Sequence, residues 1–213
     1  MKLYGYWRSS ATWRVRTGLH LKGLAYDYEA VNLAPGVGAQ KAEAHRARNP
    51  LAQVPVLEIV HDGQTVQLTQ SLAILRWLDE TYPTPTLFPG DAVQRARVWQ
   101  LAEVVNAWIQ PLQNLDTLAR VERLGADRTA WAQEVITSGL TALEATAAPL
   151  AGAFLVGDAV SLADVCLVPQ LYNARRFGVS LDAFPTLTRV EAACLALPAF
   201  QAAHPDRQPD ATP

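Results

Sequence analysis

Arg8-Ser9-Ser10-Ala11-Thr12-Trp13-Arg14-Val15-Arg16 joins two segments of different periodicity. Before it, Lys2-Leu3-Tyr4-Gly5-Tyr6 reads as a short strand; after it, the run from Val15 to Lys22 reads as a helix. Two adjacent hydroxyls therefore fall at a strand-to-helix turn. The first N–H groups of a helix lack internal partners and lie at the positive end of its dipole, so a thiolate, carboxylate or phosphate is stabilised there. A serine hydroxyl adds a movable donor. Ser9 or Ser10 can equally serve as a plain N-cap, so the turn alone leaves both readings open.

Outward from this turn, the first half of the chain alternates between the two periods. Strands are expected at 2–6, 26–32, 55–60 and 65–68, helices at 12–23 and 71–81, and a weaker helical stretch at 38–47. The order β-α-β-α-β-β-α needs helical crossovers early and a tight hairpin late, at Asp62-Gly63, which predicts a mixed four-stranded sheet. Asn49-Pro50-Leu51-Ala52-Gln53-Val54-Pro55 places a proline at the start of the third strand, and we expect the Val54-Pro55 bond to be cis. Such a turn leaves the N–H and C=O of Val54 open to a peptide-like ligand that pairs as an added strand. Thr69-Gln70-Ser71 then opens an apolar helix, giving a second helix N-terminus with a hydroxyl and an amide; Ser71 by itself reads as an N-cap.

Tyr82-Pro83-Thr84-Pro85-Thr86-Leu87-Phe88-Pro89-Gly90 cannot continue a helix and reads as a linker. The chain is thus divided into a domain over 1–81, a linker over 82–90 and a helical domain over 91–213, with helices expected at 91–121, 127–148, 161–176 and 186–196. In the first of these, Gln110, Gln113 and Asn114 are spaced to share one face, which is either solvated or lines a cleft, and Pro111 should bend the helix beside them. Val160-Ser161-Leu162-Ala163-Asp164-Val165 is a capping box with a staple, and Asp164 is read as structural.

Composition excludes several classes of function. Eighteen basic against twenty acidic residues give a net charge of −2, which offers no bulk support for nucleic-acid or membrane-surface binding. No apolar run approaches the roughly 18 residues of a membrane span, and a soluble, cytoplasmic protein is expected. Cys166 and Cys194 lie in apolar helical patterns and read as reduced, packed thiols. His20, His45, His61 and His204 are scattered without ligand spacing, so no metal is expected.

On the segments quoted above, the chain resembles the cytosolic glutathione transferases, and within them the zeta class. That class carries Arg-Ser-Ser-Cys-x-Trp-Arg-Val-Arg, which stands here as Arg8 to Arg16 with Ala11 in place of the cysteine. Further matches are Gln53-Val54-Pro55, Gln70-Ser71-Leu72-Ala73-Ile74, Ile109-Gln110-Pro111-Leu112-Gln113-Asn114-Leu115, Cys166-Leu167-Val168-Pro169-Gln170, Arg176-Phe177 and the tail His204-Pro205-Asp206-Arg207-Gln208-Pro209-Asp210. The resemblance implies an α/β plus all-α architecture: a thioredoxin-like domain that binds glutathione, followed by an all-helical substrate domain.

The resemblance also implies residue roles. Ser9, assisted by Ser10 and the backbone at Ala11, would stabilise the thiolate of glutathione or of another low-molecular-weight thiol. Gln70 and Ser71 would hold the γ-glutamyl group, Val54 the cysteinyl backbone and Gln40 the glycyl end, with Gln110 and Asn114 also contacting the cofactor. Arg176 is the first candidate for a substrate carboxylate and Arg8 the second, with Gln113 on the substrate side; for Arg14 and Arg16 a structural salt bridge is the alternative. The implied reaction is isomerisation of maleylacetoacetate to fumarylacetoacetate in tyrosine and phenylalanine breakdown. Maleylpyruvate isomerisation and general glutathione conjugation are the alternatives, and a non-catalytic interaction module is a third class. A homodimer is implied. Because the sulfur that reacts belongs to glutathione, isomerase activity is expected to survive with Ala11.

Overall fold

Leu3 and Leu57, paired on neighbouring strands, face one side of a mixed sheet, and Tyr4 and Val56 face the other. In a computed structural model, which describes residues 1–34 and 36–212, β1 (Lys2–Gly5) runs parallel to β2 (Asp27–Ala30) and antiparallel to β3 (Val56–His61), and β4 (Gln64–Thr69) pairs antiparallel with β3. The spatial order is β2-β1-β3-β4, with Leu3 opposite Tyr28 on one side and Leu57 on the other. The Asp62-Gly63 hairpin forms as expected: its two residues have φ of 50° and 74°, the pair of left-handed conformations that a tight two-residue connection requires.

Helix α1 (Ser10–Leu21) connects β1 to β2, α2 (Glu43–Arg48) precedes β3, and α3 (Ser71–Thr81) follows β4. Helices α1 and α3 pack where Gly18 meets Leu75, whose side chain fills the space a Cβ at Gly18 would take. Leu3, Val15, Leu19, Val56, Leu57, Ile74, Leu75 and Leu78 are fully buried, each contributing about 1.5–3 kcal/mol. Lys22 anchors the following segment: its buried ammonium donates to Asp79 Oδ1 at 2.9 Å and to the carbonyls of Tyr82 and Pro85 at 2.6 and 2.7 Å. Three acceptors satisfy all three donors of the ammonium, which is why the charge is tolerated there.

Residues Leu87–Leu197 form a separate compact unit. It contains α4 (Ala92–Glu103), a π-helical turn over Val104–Ile109, α5 (Gln110–Leu112), α6 (Leu115–Arg123), α7 (Arg128–Ala147), α8 (Leu162–Arg176) and α9 (Pro185–Leu195). The expected single helix over 91–121 is thus corrected to a broken one. A helical proline displaces the carbonyl four residues back, that of Ala107, and the widened π-helical turn spans that residue. Glu144 on α7 caps α9 from outside, accepting from the N–H groups of Thr186 and Leu187 at 3.0 Å each. At the start of α8 the capping box forms: Asp164 Oδ2 accepts from Ser161 N–H and its hydroxyl, both at 2.8 Å, and Oδ1 accepts from Leu155 N–H at 2.8 Å.

The tail departs from the sequence reading, which assigned everything from 91 to 213 to the helical domain. Helix α10 (Pro198–Ala203) and the 3-10 turn Pro205–Arg207 belong to the first unit, together with Met1–Thr86. The fully buried guanidinium of Arg16 explains the return: Nε donates to the Ala203 carbonyl at 3.1 Å. The ring of His204 also stands edge-on to Trp13, with centroids 5.2 Å apart.

Candidate active site

The turn from β1 into α1 carries Ser9 as N-cap, with φ −68° and ψ 119°, and its Oγ accepts from Thr12 N–H at 3.2 Å. Trp13 N–H is taken by the Ser9 carbonyl at 2.8 Å, which leaves the N–H groups of Ser10 and Ala11 uncapped in the first turn. A hydroxyl has one proton and two lone pairs, so accepting from Thr12 orients Ser9 without spending its proton. The capping and anion-donor readings are therefore compatible at one residue. Ala11 is 9% exposed, and Arg8 is half-buried with its guanidinium 5.1 Å from the ring centroid of Trp7.

At the start of β3 the Val54-Pro55 bond is cis, as expected. Neither the N–H nor the C=O of Val54 has a hydrogen-bond partner among the described residues. Two side chains hold the peptide before it: His45 Nε2 and Asn49 Nδ2 both donate to the Gln53 carbonyl, each at 2.9 Å. A carbonyl only accepts, so His45 carries its proton on Nε2. The sequence reading passed over this clamp. Its signal was present in Asn49, directly before Pro50, but His45 was weighed only as a metal ligand.

The residue before α3 is strained. Gln70 has φ 67° and ψ 114°, a conformation that costs a non-glycine residue about 1–3 kcal/mol, and it offers no side-chain cap. The first N–H groups of α3 are thus left uncapped beside the Ser71 hydroxyl. That hydroxyl accepts from Arg14 Nη1 at 3.4 Å, an arrangement that parallels Ser9 and Thr12. Arg14 and Arg16 are both fully buried. The salt-bridge alternative fails for Arg16, whose guanidinium donates to the carbonyls of Ala203, Tyr6 and Trp7. Gln40 lies in a 3-10 turn (Ala39–Lys41), and its Oε1 is buried without a partner.

In the helical unit the expectations hold less well. Gln110, Gln113 and Asn114 do not share a helix face, because the helix ends at Leu112 and Asn114, with ψ 150°, begins the next one. Gln113, expected on the substrate side, is buried, and its amide exchanges hydrogen bonds with Gln170 at 2.8 Å and 3.3 Å. Gln110 Oε1 is buried without a partner. Arg176 is the exposed last residue of α8, with Nη1 3.3 Å from Asn173 Oδ1, while its neighbour Arg175 is committed to a two-pronged pair with Glu191. Cys166 and Cys194 are buried and unlinked, and burial pushes the Cys194 thiol far up, away from thiolate chemistry. Among the described residues, no group of three or more His, Cys, Asp or Glu side chains is placed to hold a metal, and no helix is long and apolar enough to cross a membrane.

Residues 3–86 match the glutathione S-transferase N-terminal domain and residues 129–198 the glutathione S-transferase C-terminal domain, with Gln110, Gln113 and Asn114 between the two. The chain belongs to the glutathione S-transferase family. This transferase-family chain is 49% identical over 208 residues to the maleylacetoacetate isomerase of Rattus norvegicus, covering 98% of this chain and 94% of that protein. It is also similar to the maleylacetoacetate isomerase of Anaeromyxobacter dehalogenans 2CP-1 with GSH bound in the active site, at 56% identity, a TM-score of 0.91, and 99% and 97% coverage of the two chains. A second structure of that protein holds dicarboxyethyl glutathione and citrate, at 56% identity, a TM-score of 0.90, and coverage of 100% and 97%. The holo structure of a maleyl pyruvate isomerase, a bacterial zeta-class transferase, matches at 43% identity and a TM-score of 0.92 over 100% of both chains.

Proposed function

We propose that this chain is a glutathione-dependent cis–trans isomerase that converts maleylacetoacetate to fumarylacetoacetate. The observation that carries the proposal is Ser9: its hydroxyl is oriented by Thr12, keeps its proton to donate, and sits beside the uncapped N–H groups of Ser10 and Ala11. That donor set fits a thiolate. Glutathione also presents peptide groups and carboxylates, and the unpaired Val54 backbone, the uncapped start of α3 at Gln70 and Ser71, and the amide of half-buried Gln40 fit those groups in turn. The bound thiol supplies reversible addition to the cis double bond, which becomes a single bond free to rotate before the thiol leaves.

The chain's own residues have three tasks. Ser9, with Ser10 and the Ala11 N–H, favours thiolate over thiol, because a hydrogen bond to the charged form lowers a pKa. Donors must also meet the negative charge that develops on the substrate's oxygen. Arg176 holds a substrate carboxylate, with Arg8 as the second cation. Gln110 and Asn114 enter as cofactor contacts on the family resemblance. Dicarboxyethyl glutathione, present in the Anaeromyxobacter relative, is the thiol joined to a two-carbon unit bearing two carboxylates, which is chemistry of the kind proposed. The same reading takes the chain as a cytoplasmic homodimer acting in tyrosine and phenylalanine breakdown.

The similarity to a maleyl pyruvate isomerase over the full chain favours a second reading, the same thiol chemistry on a shorter acid. One assay separates the possibilities: the purified protein is offered maleylacetoacetate with and without glutathione. The expected result is fumarylacetoacetate formed only when glutathione is present, with glutathione not consumed. Accumulating conjugate would make it a general transferase, and turnover of maleylpyruvate alone would establish the second reading.

A further inference from the structure

The tail segment His204 to Asp210 has no task in the proposed chemistry, yet it reaches the turn that carries Ser9. Asp210 Oδ2 accepts from the backbone N–H of Trp7 at 2.9 Å and from the Tyr28 hydroxyl at 3.2 Å. The opposite side of the Trp7 residue is held from within α1, where Arg16 Nη2 donates to the Trp7 carbonyl at 2.8 Å and Nη1 to the Tyr6 carbonyl at 3.5 Å. Ser9 N–H closes the turn on the Tyr6 carbonyl at 3.0 Å. The backbone two residues before Ser9 is thus clamped at its N–H by the tail and at its C=O by a buried guanidinium.

The tail is itself tied down. Gln208 Nε2 donates to the carbonyls of Ala202 and His204 at 3.0 and 2.8 Å, and Ala211 N–H to the Gln208 carbonyl at 3.0 Å. Asp210 is therefore presented by a folded hook. A contact spanning 203 residues is costly in chain entropy, and here its end point is a main-chain N–H next to the proposed thiol site.

We propose that Asp210 is a positioning residue for the thiol site: by holding Trp7 N–H it fixes the Tyr6–Ser9 turn, and so aims the Ser9 hydroxyl at the sulfur of glutathione. The inference rests on the assignment of Ser9 made above. The charged and titratable groups facing Asp210 are Arg16 on α1 and Tyr28 on β2, with Tyr26 facing those two in turn; His204 of the tail faces Arg16.

The test is the pKa of enzyme-bound glutathione, read from thiolate absorbance, together with kcat/KM against pH. Asp210→Ala should raise that pKa by about one unit and lower kcat/KM about tenfold on the acid side, as expected when a charge-assisted hydrogen bond is misaligned. Asp210→Asn keeps an oxygen able to accept both bonds and should stay within about twofold of the parent. A purely electrostatic role predicts the opposite sign, since removing a negative charge near a thiolate lowers the thiol pKa in both variants. An unchanged or lowered pKa in Asp210→Ala overturns the proposal. Asp210→Ser, too short to reach Trp7, carries the same expectation if the alanine variant does not fold. Adding Asp210→Ala to Ser9→Ala should produce no further rise. If Ser9→Ala alone leaves the thiol pKa unchanged, the assignment of Ser9 fails; if Ser9→Ala raises it and Asp210→Ala does not, only the role of the tail fails.

Discussion

Replacing Ser9 separates its two tasks, because capping needs an oxygen acceptor and thiolate stabilisation needs a proton donor. Ser9→Ala removes both. Loss of the Thr12 contact should cost about 1 kcal/mol of stability, a fall of about 2–4 °C in Tm for a chain of this size. Loss of the donor to a thiolate should cost about 1.5–3 kcal/mol, or about ten- to a hundredfold in kcat/KM below the thiol pKa. Activity should not vanish, since the N–H groups of Ser10 and Ala11 and the helix dipole remain. Ser9→Asp is the decisive companion. Aspartate caps as well as serine and a carboxylate suits a helix N-terminus, so stability should hold, yet an ionised carboxylate has no proton to give and repels a thiolate. The assay is thiolate absorbance of the glutathione complex against pH, paired with thermal unfolding. An aspartate variant that keeps both its stability and its parent thiol pKa would refute the reasoning, because the hydroxyl would then be a cap and nothing more.

Two further variants follow from the geometry. Arg176→Ala should raise KM for the diketo acid about tenfold with little change in KM for glutathione, which initial-rate kinetics with each substrate varied will resolve; an unchanged value transfers the carboxylate to another cation. Asp164 gives a pH dependence of stability: burial raises its carboxyl from 3.8 to about 6, so between those values the folded state keeps a proton that the unfolded chain has released. Stability should therefore fall by about 3 kcal/mol as pH rises from about 3 to about 7, most steeply between about 4 and about 6, and Asp164→Asn should flatten that slope in urea titrations.

Signals confined to neighbouring residues were legible in the sequence. The Asp62-Gly63 turn, the start of α3 at Ser71 and the Ser161–Asp164 box all depend on chemistry within four residues and formed where expected, although Gln70 and not Ser71 is the N-cap of α3. What escaped notice was contact at a distance. Pro111 marked a bend in the 91–121 segment, but the periodicity continues across Asn114 and carries no mark of the new helix at Leu115. Gln113 looked like a free polar group because its partner, Gln170, lies 57 residues away. The hook of Asp210 onto Trp7 was hidden in the same way, although the tail was singled out as a match to the family.

The site also shows how a chain with a net charge of −2 can favour an anion. The positive field is local and buried. Two helix N-termini, at Ser10 and Ser71, leave their first N–H groups uncapped, and beneath them lie the guanidinium groups of Arg14 and Arg16, each fully buried. Burial lowers the Arg16 pKa, but a guanidinium starts so far above neutrality that it stays charged, as a lysine ammonium in the same place would not be certain to. In a medium of low dielectric such charges act over longer distances and with less screening than they would at the surface. Each is coupled to the site through the group it donates to: Arg14 through the Ser71 hydroxyl, Arg16 through the carbonyls of Tyr6 and Trp7 that set the turn before Ser9. An exposed cluster of lysines would have given the chain a basic surface and an affinity for any polyanion. Placing the cations beneath hydroxyls and backbone instead confines the attraction to a ligand small enough to reach those donors.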